Sequence, residues 1–234
     1  MVNGILIEIC IGNITDALAV SKYPVDRIEL NSAIELGGLS PSVETLRYLK
    51  ERIPQKIVCM LRPRGGDFLY DDAEYEVMKK DAENFLQNGA DGIVFGFLRE
   101  DHTVFEARAK EMASLAHRYG KEAVFHKAFD ETPDLKGSAK ILTDCGIDRI
   151  LTGGKAPYPD IVKGAQDIQE LNREFGERVT FLPGGGVRVG NVNDVLDISG
   201  SKQIHMTSKK EDPGGYLKLD EEQLQAFLQK IGSR

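Results

Sequence analysis

Apolar residues recur along the chain in two alternating rhythms. Short apolar or alternating runs predict strands at Ile5–Cys10, Arg27–Asn31, Lys56–Arg62, Gly92–Leu98, Glu122–Asp130, Arg149–Thr152, Thr180–Pro183 and Gln203–Ser208. Between them, apolar positions at helical spacing predict helices near Asn13–Lys22, Ser42–Arg52, Tyr75–Asn88, Thr103–Tyr119, Leu135–Cys145, Asp160–Phe175, Val192–Leu196 and Leu219–Ile231. Ser42 and Asp220 stand where N-caps belong, and Gly89, Gly120, Gly146 and Gly176 follow helical runs as C-terminal stops. Eight strands in strict alternation with helices predict an α/β fold, a (β/α)8 TIM barrel that fills residues 1–234 as a single domain. A doubly wound sheet usually carries a glycine fingerprint after its first strand, and Cys10-Ile11-Gly12-Asn13 is not one.

The period of two along each strand says which side chains enter the barrel. Ile5, Ile7 and Ile9 belong against helices, so Glu8 and Cys10 turn inward. By the same parity Glu29 and Asn31, Val58, Met60 and Arg62, His126 and Asp130, and His205 and Thr207 point inside, while Cys59 and Met206 face the helices. Six polar or ionisable groups thereby converge on one interior: Glu8, Glu29, Arg62, His126, Asp130 and His205. Charges are seldom buried unpaired, so such a ring requires internal ion pairs or a ligand. His102 and His117 fall in loop or helical stretches and are expected at the surface.

Glycine clusters mark the strand ends. Thr152-Gly153-Gly154 follows the sixth strand and Pro183-Gly184-Gly185-Gly186 the seventh, a placement suited to a backbone anion cradle. After the third strand comes Arg62-Pro63-Arg64-Gly65-Gly66-Asp67-Phe68-Leu69-Tyr70, whose arginines offer planar donors for a carboxylate or phosphate. On residues alone Arg62, Arg64, Asp67, Asp130, Gly153, Gly184 and Gly185 are the expected ligand-binding set.

Composition narrows the partners. With a net charge of −7 the chain is no platform for nucleic acid, whose affinity rests on clustered Lys and Arg. No apolar run reaches the ~20 residues of a membrane span and no leader pattern opens the chain, so a cytoplasmic location is expected. Three widely spaced cysteines form neither a zinc motif nor a disulfide framework. No organic cofactor is expected.

Several blocks resemble the CutC copper homeostasis family. They are Arg27-Ile28-Glu29-Leu30 with Gly37-Gly38-Leu39-Ser40-Pro41-Ser42, the stretch Arg62–Tyr70, Gly89–Gly96, Phe125-His126-Lys127-Ala128-Phe129-Asp130, Arg149–Thr152 and Pro183–Val187. The resemblance runs in order over nearly the whole chain. It implies a cytoplasmic TIM-barrel protein, usually oligomeric, that binds Cu(I) through thiols at the ends of its first two strands. Cys10 matches the first of these and Asn31 stands at the second, which leaves Cys10 and His205 as the metal-binding expectation, with Met60 and His126 also inward.

Two functions therefore stand side by side. One is copper homeostasis with Cu(I) held at the barrel mouth. The other is an enzyme of lyase, isomerase or aldolase type on a small anionic metabolite, with Glu8 or Glu29 as general base, His126 or His205 as acid, and Arg62 holding the anion. Lys127 is expected to point outward, and a non-catalytic scaffold has no sequence signal of its own.

Overall fold

A computed structural model describes all 234 residues. The chain runs β1 (Leu6–Ile11), α1 (Ile14–Val20), β2 (Arg27–Leu30), α2 (Val43–Lys50), β3 (Lys56–Met60), α3 (Asp72–Gln87), β4 (Gly92–Phe95) and α4 (Glu106–Arg118). It continues through β5 (Glu122–Phe125), α5 (Leu135–Asp144), β6 (Arg149–Thr152), α6 (Ile161–Phe175), β7 (Thr180–Pro183), α7 (Val192–Ser199) and β8 (Gln203–Met206). A hairpin of β9 (Lys209–Glu211) and β10 (Leu217–Leu219) precedes α8 (Glu221–Gly232). The expected (β/α)8 barrel is present, with parallel strands in the order β7-β6-β5-β4-β3-β2-β1-β8. Only the seam between β7 and β8 lacks a hydrogen-bonded ladder.

Local chemistry explains the element ends. Ser42 and Asp220 cap α2 and α8 through their side chains, and Asp71 with Glu74 closes a reciprocal capping box on α3. Gly89, Gly120 and Gly146 take the left-handed conformation after their helices, as expected, whereas Gly176 keeps φ −63° and continues the helical turn. The hairpin was not foreshadowed by any apolar period, since β9 is fully exposed.

Two separate apolar clusters show where the core lies. The larger, of 58 residues, includes Ile7, Ile9, Ile28, Leu30, Ile57 and Cys59 and fills the space between sheet and helices. Inside the barrel only Val58, Met60, Val94 and Val124 form an apolar cluster. Much of the remaining interior is polar or charged, with Glu8, Arg27, Glu29, Arg62, Arg149, His126 and His205 all buried.

Several strands end sooner than expected, and at β5 the difference changes the site. The strand stops at Phe125, and His126 caps a short 3-10 turn over Lys127–Glu131, its Nδ1 accepting from the Ala128 N–H at 3.1 Å. The period of two no longer applies beyond that point. Asp130 is placed by the turn rather than by strand parity, and Lys127 reaches the cavity instead of pointing outward.

Candidate functional site

Strand register builds the interior in layers. Glu8 lies opposite Arg27 on one side and His205 on the other, and Cys10 lies opposite Glu29 one rung higher. In the lower layer Glu8, almost fully buried, is ion-paired with Arg27, accepts from Arg149 Nη1 at 3.0 Å and meets His205 Nδ1 at 2.7 Å. Arg149 also pairs with Glu122 at 2.7 Å, and Arg27 donates to Gln203 at 2.9 Å. Burial alone would raise the Glu8 carboxyl, but Arg27 and His205 outweigh it and hold it at about 2. Glu8 is therefore a fixed anion that orients its neighbours, and the expectation of a general base there is withdrawn.

The period of two along β2 and β6 also directs the two arginines of this layer inward. Arg27 shares the inward phase of Glu29, and Arg149 that of Leu151, which lines the cavity.

Above the layer opens a cavity of about 300 Å³ at the C-terminal ends of the strands, lined by Cys10, Glu29, Met60, Arg62, His126 and His205 among others. Cys10 Sγ, a Glu29 carboxylate oxygen and a His205 ring nitrogen lie within 4.8 Å of one another. With Nδ1 committed to Glu8, Nε2 is the His205 nitrogen left for a ligand. Burial opposes the His205 imidazolium, but Glu29 and Glu8 prevail and shift it upward. The Cys10 thiol is pushed well above its ordinary range by burial and by Glu29. Glu29 itself is raised, burial outweighing the pull of His205.

Asn31 binds both neighbours, its Nδ2 donating to Glu29 Oε2 at 2.9 Å and to Cys10 Sγ at 3.4 Å. It supports the cluster from behind rather than lining the cavity.

His126 lies on the opposite wall under the Phe68 ring, with centroids 4.7 Å apart, and the missing side chain of Gly96 makes room for its imidazole. Burial, then the nearby Arg62, depresses it to about 3, so it is neutral. Because Nδ1 accepts from the backbone, the proton resides on Nε2, and that atom is buried without a partner. A donor of this kind is no general acid in the imidazolium sense, and the expectation is corrected accordingly.

The remaining expected residues divide. Arg62 lines the cavity, yet its guanidinium donates to the carbonyls of Leu36, Gly38 and Gly66, and its Nε is left unpaired. Glu29 and Arg62 form no ion pair with each other: Glu29 accepts from Asn31, and Arg62 donates only to backbone carbonyls. Arg64 and Asp67 do not line the cavity: Arg64 pairs with Asp67 at 3.0 Å and with Glu74, so they make a salt-bridged turn rather than an anion clamp. Asp130 accepts from the Thr152 hydroxyl and from the Gly153 N–H at 2.9 Å, and it meets Lys127 Nζ at 3.4 Å. It therefore organises the loop behind the cavity instead of meeting a ligand.

Gly153 and Gly184 likewise spend their N–H groups internally, on Asp130 and on the Thr152 carbonyl, and only Gly185 of the three glycines borders the cavity. Met206 packs in the outer core as expected and also touches the cavity edge. His102 and His117 are exposed. Lys127, Arg188 and Lys209 line the cavity without having been anticipated there. A loop and a hairpin position the last two, and neither has a periodic signature.

The model of the CutC family matches residues 5–210. A CutC family protein of Treponema denticola is 38% identical over 89% of this chain and 84% of its own length. The human copper homeostasis protein cutC homolog is 33% identical over 91% of this chain and 77% of its own. Among solved structures, the protein CutC from Streptococcus agalactiae superposes with a TM-score of 0.80 at 29% identity, covering 86% of this chain and 97% of that one.

Proposed function

The chain belongs to the CutC family, and on that premise we propose that it serves copper homeostasis by holding Cu(I) at the barrel mouth through Cys10 and His205. The observation that carries this reading is the approach of the Cys10 sulfur and a His205 nitrogen to within 4.8 Å, with the imidazole anchored on its far side by Glu8. Thiolate and imidazole are the soft donors that Cu(I) prefers, and the Met60 side chain lines the same cavity. A carboxylate locked to the other nitrogen fixes both tautomer and ring orientation, as in other metal-bound histidines. His126 does not join this cluster, because its Nδ1 is a cap and its Nε2 carries the proton.

Metal uptake on this reading is exchange of a proton for an ion. The thiol is protonated at neutral pH by virtue of burial and Glu29, and it must release that proton to bind. Glu29, itself shifted upward, is the adjacent group able to take it. Apparent affinity therefore rises with pH. The same reading carries a cytoplasmic homo-oligomer, open to cell fractionation and to light scattering.

Competition against a Cu(I)-specific chelator under anaerobic conditions tests the proposal. One equivalent of Cu(I) is expected to resist the chelator in the wild type, more strongly at pH 8 than at pH 6, and to be lost in Cys10→Ala. Equal retention in the variant, assigned to Cys59 or Cys145 by alkylation mapping, would sink it.

A further inference from the structure

The cavity has a second half that the metal reading does not use. Its lining carries four cationic side chains, Arg62, Lys127, Arg188 and Lys209, against the single carboxylate of Glu29. This concentration stands out in a chain whose net charge is −7. Arg62, Arg188 and Lys209 have no carboxylate partner. Arg188 is held by the Val187 carbonyl at 2.6 Å and the Tyr158 hydroxyl at 3.2 Å, which orient it without neutralising it. Lys127 Nζ lies against Gly185, only 2.5 Å from where a Cβ at that glycine would stand.

The backbone points the same way. The seam between β7 and β8 forms no ladder, and the N–H groups of Gly185, Gly186 and Val187 have no acceptor in the protein. Amides of buried residues are almost always paired, and with Gly186 and Val187 buried and Gly185 partly so, this unpaired run at a cavity wall marks a place for ligand oxygens. Independently, His126 is 97% buried, borders the same cavity and leaves its Nε2–H without an acceptor. A bland account in terms of surface solubility explains neither the unpaired amides nor a buried donor.

We infer that the β7–β8 side of the cavity is a subsite for the phosphate group of a small metabolite, held by Lys127, Arg188, Lys209 and the Gly185–Val187 amides, with His126 donating to another oxygen of the same molecule. Several cations against one carboxylate call for more than one negative charge on the ligand, which favours phosphate over a monocarboxylate. A volume of about 300 Å³ admits a small metabolite and excludes a polymer. The subsite does not depend on the metal proposal, since none of its residues belongs to the Cys10–Glu29–His205 cluster.

Calorimetric titration with inorganic phosphate, in chelator-treated protein at constant ionic strength set with sodium chloride, tests this directly. A saturable heat with one site per chain is expected. The double variant Arg188→Ala, Lys209→Ala removes two solvent-reaching side chains, so it keeps the fold, which circular dichroism verifies. Its phosphate affinity is expected to fall by roughly tenfold for each side chain lost. Absence of saturable binding, wild-type affinity in the double variant, or binding of succinate without binding of phosphate would each overturn the inference.

Discussion

In the layer of Glu8, charge is answered by charge. One carboxylate holds Arg27, Arg149 and His205, Arg149 reaches on to Glu122, and Arg27 to Gln203. Of its fully buried polar side-chain atoms only Arg149 Nε lacks a partner, while His205 borders the cavity. One rung higher, in the layer of Glu29, Arg62 and His126, the accounting stops short. Arg62 Nε, His126 Nε2 and Asn31 Oδ1 are buried without partners, and no Lys or Arg of the lining pairs with Glu29. Both layers are charged and both are buried, so burial of charge alone does not mark a binding site. The difference lies in completion: a satisfied network holds the barrel together, and an unsatisfied one beside a cavity awaits a partner from outside.

The largest effect expected from this contrast is in the lower layer. Glu8→Gln keeps the shape of the side chain and removes its charge, leaving Arg27 and Arg149 buried without their shared anion. Breaking a buried ion pair from one side costs about 3–5 kcal/mol, and a loss of that size is expected in urea unfolding. A loss below about 1 kcal/mol would mean that water reaches these arginines, and the two layers would no longer differ in kind.

Titration separates the layers by pH. His126 sits at about 3 in the fold against 6.5 ordinarily, so its contribution is present above pH 6.5 and is lost as pH falls from there toward 3. Glu8 sits at about 2 against 4.5, so its contribution is present above pH 4.5 and is lost as pH falls from 4.5 toward 2. Acid destabilisation should therefore begin in the upper layer, at up to about 1.4 kcal/mol per pH unit for one proton between pH 6.5 and 4.5. His126→Asn removes the titrating ring while leaving an acceptor for the Ala128 N–H, since Asn is a favoured cap. Chemical unfolding at stepped pH should show a flatter profile for the variant from pH 6.5 down to about 3, with the decline due to Glu8 retained below pH 4.5. An identical profile in both proteins would show that His126 is not sealed from water.

How much of this was legible in the sequence follows from what positions each residue. Glu8, Cys10, Glu29 and His205 sit on strands, where a period of two fixes the side-chain direction, and all four point inward as expected. Arg27 was equally readable from its parity with Glu29. Parity failed where the strand ended: after Phe125 a 3-10 turn carries Asp130 away from the cavity and brings Lys127 in. Arg188 and Lys209 were invisible, because a loop and a fully exposed strand, β9, place them and no apolar rhythm encodes either. The Arg62–Tyr70 stretch was the most distinctive in composition and the most misleading. Its two arginines have different tasks, which spacing alone cannot separate.

Arg64 therefore gives the finest test of where the upper layer ends. Its guanidinium pairs with Asp67 and Glu74 and donates to the Leu69 carbonyl at 2.7 Å, at a site open to solvent. Exposed ion pairs contribute little after screening and side-chain entropy, so Arg64→Ala should cost below about 1 kcal/mol in urea. Phosphate affinity should be unchanged, because every acceptor that Arg64 meets belongs to its own turn or to the Glu74 cap of α3. If phosphate binding weakened with Arg64→Ala, the charged lining would have to extend beyond the cavity wall. The unsatisfied layer would then include a surface loop, and completeness of pairing would no longer distinguish the site from the rest of the barrel.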